Sequence, residues 1–181
     1  MATSIRSIIL GLLVTSIRGI ATAEETFEIR VWNACQQSRS FAVYQITDEF
    51  AMIPWTPPNT VKPGQSICFE APFKEKGMRI SGQAQWPVEE QWNAQALFEF
   101  GYSTYYGQEG TAYDLSIMEG SDTEIGLSVH PSNTNCKSKT CKPSDCLPNQ
   151  GWTSPEQIKD GSPADTVCYA GRTNFDVVFC P

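Results

Sequence analysis

The sequence predicts an all-β fold, a flattened sandwich of short strands with a disulfide-tied loop lobe toward its C-terminal end. Three observations carry that expectation. Apolar and polar residues alternate over short stretches, as in strands with one buried face. Prolines and glycines punctuate the intervals too closely for helices. Seven cysteines follow a stretch that reads as an export signal, which places them in an oxidising compartment.

That signal comes first in the chain. Arg6 precedes the apolar run Ile8 to Val14, too short to span a bilayer, and the small-residue site Ala21-Thr22-Ala23 follows. Residues 1–23 are therefore expected to be a signal peptide and 24–181 a single domain. The stretch Thr26 to Trp32 alternates Phe27, Ile29 and Val31 with Glu28 and Arg30, which predicts an opening strand. Phe41 to Ile46 is a second strand, rich in aromatic and branched residues. Pro54, Pro57, Pro58 and Pro63-Gly64 then disfavour helix. Further strands are expected at Ser66 to Glu70, Met78 to Ala84, Ala96 to Gly101, Ala112 to Met118, Ile125 to Val129 and Phe175 to Phe179. Residues 131–171 hold Cys136, Cys141, Cys146 and Cys168 among prolines and small polar residues and read as the loop lobe. Within it, Ser154-Pro155-Glu156 followed by Asp160-Gly161 marks one helical turn.

Composition narrows the function classes. Of 181 residues, 40% are hydrophobic and 18% charged, enough for one ordinary core. The formal net charge is −7, and both charged residues lost with a signal peptide, Arg6 and Arg18, are basic. So acidic a surface disfavours nucleic acid and anionic membranes as partners and suits neutral polysaccharide or basic protein. No phosphate-binding loop, dinucleotide fingerprint or calcium loop is present, and no cofactor is expected. His130, the single histidine, has no nucleophile signature around it and reads as a surface or structural residue. The spacing of Cys136, Cys141 and Cys146 lacks a histidine at ligand distance, so no metal site is expected either. With seven cysteines and three pairs to form, spacing alone leaves 105 arrangements open.

Four separated blocks resemble the thaumatin-like family, also known as pathogenesis-related family 5. The ending Thr173-Asn174-Phe175-Asp176-Val177-Val178-Phe179-Cys180-Pro181 resembles the family's last strand. Thr26 to Cys35 (TFEIRVWNAC) resembles its first strand and first cysteine. Phe98-Glu99-Phe100 and Tyr113 to Gly120 (YDLSIMEG) resemble two internal motifs, in the family's order. Residues 83–92 (QAQWPVEEQW) lack the family's cysteine-rich signature, and the interval from Cys146 to Cys168 is too short for its second domain. The resemblance is thus to a reduced, small member.

That resemblance implies disulfides joining Cys35 with Cys180 and Cys136 with Cys168. Cys141 and Cys146 then remain as neighbours across Lys142-Pro143-Ser144-Asp145, and Cys68 is left over. Cys68 would be either a buried core residue, the favoured reading, or the link in a disulfide dimer. The resemblance also implies an acidic groove formed by Arg79, Glu99, Asp114 and Glu119, missing the wall that a second domain would supply. Such carboxylates would bind cell-wall β-glucan, and Glu99 and Asp114 become the catalytic candidates of a weak β-1,3-glucanase. A half-open groove is poorly suited to excluding water, so binding is expected ahead of catalysis. The plain alternative makes these residues the wet sides of strands. Trp86, Trp92, Tyr102, Tyr105 and Tyr106 offer flat rings for sugars, or else fill the core. The expected protein is secreted and extracellular, and it engages either wall polysaccharide or a surface protein in defence or host–microbe contact, as an interaction or inhibitor module in the second case.

Overall fold

The computed structural model describes residues 25–48, 52–75, 77–83, 96–118 and 125–181. Twelve strands run in chain order: β1 (Thr26–Asn33), β2 (Arg39–Ile46), β3 (Met52–Pro54), β4 (Asn59–Val61), β5 (Ser66–Pro72), β6 (Met78–Ser81), β7 (Leu97–Tyr105), β8 (Gln108–Ser116), β9 (Leu127–Pro131), β10 (Lys139–Cys141), β11 (Thr166–Cys168) and β12 (Phe175–Phe179). One sheet has the order β10-β9-β12-β1-β5 and the other β11-β8-β7-β6-β2-β3, with β4 also paired to β2. The two sheets form a sandwich.

Alternation decides which face each strand buries. In β1, Phe27, Ile29 and Val31 are fully buried while Glu28 and Arg30 are exposed, because successive side chains leave a strand on opposite faces. The inner faces meet in an aromatic core. Phe98 packs edge-on to Phe175 with centroids 5.0 Å apart, Phe27 to Phe100 at 5.3 Å, and Phe41 to Phe179 at 4.8 Å. Truncating one of these buried phenylalanines to alanine costs about 3–5 kcal/mol.

The first and last strands lie side by side in parallel, with Val31 opposite Val177, and the Cys35–Cys180 disulfide clamps them. Its sequence separation is 145, so in the loop-entropy account it removes about 5 kcal/mol of freedom from the unfolded chain. Cys136 is bonded to Cys168 and Cys141 to Cys146.

Several sequence expectations need correction. Cys68 is not a core residue. It sits on β5, the edge strand of its sheet, exposed and unbonded, because Ile67 and Phe69 take the inward positions on either side. The lobe is more than loop. Its β10 extends one sheet and its β11 the other, and the Tyr113 hydroxyl donates to the Lys137 carbonyl at 2.6 Å, tying lobe to sandwich. Ser154 caps a 3₁₀ turn over Pro155–Asp160, which Gly161 ends in the left-handed conformation. The strand from Met78 stops at Ser81. Glu119, Trp86, Trp92 and the signal segment lie outside the described residues.

Candidate functional site

Three of the four groove candidates share one row. Arg79 on β6 is paired in register with Glu99 on β7, and Glu99 with Asp114 on β8. The local reason is the same at each position. Met78 and Ile80 flank Arg79, Phe98 and Phe100 flank Glu99, and Tyr113 and Leu115 flank Asp114, all of them buried. Burying those neighbours turns the charged residue between them to the outer face of the sheet. The register continues into the lobe. Thr166 pairs with Tyr113, which sets Asp165 beside Asp114 as the fourth member of the row.

Glu99, Asp114 and Asp165 line a groove of about 330 Å³ together with Gly101, Ala112 and Val167 among others, while Arg79 stands beside it, against Glu99. Residues 165–167 of the lobe line the groove on its β8 side. Arg79 Nε is ion-paired with Glu99 Oε1, with side chains only 12% and 18% exposed. Asp114 Oδ1 is buried and has no hydrogen-bond partner among the described residues. Desolvation raises the Asp114 carboxyl well above the usual range. The negative charges of Glu99 and Asp165 and a hydrogen bond with Glu99 push the same way, against the weaker pull of Lys139. That direction favours the protonated, hydrogen-bond-donating form of Asp114.

Two supporting residues carried no sequence signal. Asp165 accepts a hydrogen bond from Trp152 Nε1 at 2.8 Å, which fixes its carboxylate at the groove wall. Lys139, 3% exposed, donates from Nζ to the Asn149 carbonyl at 3.1 Å and to the Ala164 carbonyl, holding the chain just before Asp165. Burial lowers its pKa, opposed by the charges of Asp114 and Asp165. Both lie in a polar, cysteine-rich stretch, where only the strand register reveals what they face.

The remaining candidates fall elsewhere. Tyr102 packs on Phe73 with centroids 5.4 Å apart and donates its hydroxyl to Glu109 at 3.1 Å. Tyr105 ends β7 and Tyr106 opens the following turn, both exposed. His130 is exposed on the other sheet, opposite Asp176, in a shallow groove of about 540 Å³ that also includes Cys68 and Arg30. Among the described residues no group of three histidine, cysteine or carboxylate side chains is placed to hold a metal ion.

Three carboxyl groups in a row, one of them with its pKa raised by burial, can both donate to and accept from a polyhydroxyl ligand. No family model matches this chain, and no curated protein sequence matches it. Among solved structures, the protein elicitor MoHrip2 from Magnaporthe oryzae matches with a TM-score of 0.58 at 17% identity, over 86% of this chain and 99% of that one. At that identity the likeness is one of fold.

Proposed function

We propose that this is a secreted protein of the host–microbe boundary that binds neutral cell-wall β-glucan in the groove floored by Glu99 and Asp114. Residues 1–23 act as its export signal. The observation that carries the reading is the cross-strand row of Arg79, Glu99, Asp114 and Asp165, bordered by the lobe, with the Asp114 carboxyl buried in it. Three disulfides suit an extracellular protein. The elicitor function in the name of MoHrip2, a fold neighbour, and the sequence resemblance to small thaumatin-like proteins point in the same direction.

Co-sedimentation with insoluble β-1,3-glucan tests it. The intact protein is expected in the pellet, and the Glu99→Gln/Asp165→Asn double variant in the supernatant. Intact protein that stays in solution overturns the reading. The raised Asp114 carboxyl beside Glu99 also favours a second reading, a weak β-1,3-glucanase with Asp114 as general acid. Reducing sugar released into the same supernatant supports that reading, and its absence ends it.

A further inference from the structure

The outer face of the β7–β8 hairpin continues beyond the carboxylate row. By alternation, Glu99, Gly101, Ser103 and Tyr105 of β7 share that face with Asp114, Ala112, Gly110 and Gln108 of β8, their partners in register or neighbours along it. From the lobe, Asp165, Val167 and Tyr169 follow the same parity, Tyr169 one step past the end of β11. Between the carboxylates and the hairpin tip stand only small residues, Gly101, Ala112, Ser103 and Gly110. Six residues of strand make this track about 20 Å long.

At its far end three tyrosines are exposed together, Tyr105 at 58%, Tyr106 at 90% and Tyr169 at 43%. Tyr105 lies 4.3 Å from Tyr106 and 5.9 Å from Tyr169 between ring centroids. Aromatic rings gathered in water mark a surface that meets a partner. Two backbone features hold this cluster at a cost. Tyr106 and Gly107 have φ of 47° and 77°, the two-residue turn that favours asparagine and glycine, so a tyrosine at the first position is strained. Gly110 clears the seat of Tyr169. A Cβ there would stand 2.5 Å from the Cys168 carbonyl oxygen and 3.0 Å from the Tyr169 ring.

We infer that this face is an extended track for a linear, neutral oligosaccharide, with Tyr105 and Tyr169 as an aromatic platform at one end and the carboxylate row at the other. The inference rests on the glucan reading of the groove and adds a second subsite to it. Charge selects the occupant. The track bears carboxylates and phenols, and its one arginine, Arg79, is ion-paired with Glu99, so polyanions and anionic lipid surfaces are repelled. Flat phenolic rings cover the apolar face of a sugar and lose few rotamers in doing so.

The test is calorimetric titration with β-1,3-linked glucose oligomers of two to six units. The intact protein is expected to bind longer oligomers more tightly. The Tyr105→Ser/Tyr169→Ser variant is expected to bind the six-unit oligomer roughly tenfold more weakly, with two-unit binding unchanged. Tyr106→Asn should melt at a higher temperature, because asparagine suits the turn, without binding any oligomer more tightly. Gly110→Ala, which keeps both rings but displaces Tyr169, should reproduce part of the long-oligomer loss. Length dependence that survives in the double variant, or an equal loss at every length, overturns the track and leaves the groove standing. An intact protein that binds no oligomer overturns both.

Discussion

Each sheet carries an arginine–carboxylate pair across neighbouring strands on its outer face, and the two pairs behave differently. On the five-stranded sheet Arg30 meets Asp176 through two parallel hydrogen bonds of 2.7 Å, with side chains 49% and 41% exposed. Its fork is satisfied, water surrounds it, and solvent screening leaves it little net stability. On the seven-stranded sheet Arg79 meets Glu99 with side chains only 12% and 18% exposed, less than half the exposure of the first pair, and Asp114 and Asp165 extend the row. The same pairing on the same kind of surface is less exposed where neighbouring strands align further carboxylates beside it.

The sharpest way to break that contrast is to remove the anchor of the lobe segment that borders the row. Lys139→Met leaves the buried Ala164 carbonyl and the part-buried Asn149 carbonyl without their donor and should cost about 2–4 kcal/mol in urea unfolding. It should also loosen Asp165 and make the groove resemble the bare face opposite. A loss no larger than that of an ordinary surface variant would show that Lys139 does not hold the wall.

A smaller effect sharpens the comparison through pH. Because the Asp114 carboxyl titrates higher in the folded state than in the unfolded chain, the folded state binds more protons across that interval. The stability present below the usual carboxyl range is therefore lost as pH rises from there through the raised folded-state value. Asp114→Asn removes this dependence, so its thermal midpoint should match the intact protein in acid and exceed it increasingly toward neutral pH. Parallel curves would contradict the uncharged carboxyl. The smallest effect belongs to the open face, where Arg30→Ala should leave both the thermal midpoint and glucan co-sedimentation essentially unmoved.

Much of the fold was legible in the residues themselves. Eight strands stood out by alternation or by branched and aromatic runs, and Phe175–Phe179 appears with the bounds expected. The short strands Met52–Pro54, Asn59–Val61, Lys139–Cys141 and Thr166–Cys168 did not stand out, since three residues show no period and two of these strands lie in the polar lobe. Local alternation placed Arg79, Glu99 and Asp114 on the outer side of their own strands, but nothing local aligned them with one another. Asp165, Lys139 and Tyr169 were invisible for the same reason, because each matters through a partner far away in the chain.

By itself, then, the sequence determined the strand character of the chain, the inward side of each long strand and the acidity of the surface, since these follow from side-chain period and charge. The row of carboxylates, the lobe that walls it, the exposure of Cys68 and the tyrosine platform were decided only in three dimensions. Register between strands is set by the packing of whole sheets, and that packing alone brings distant polar groups into one water-poor groove.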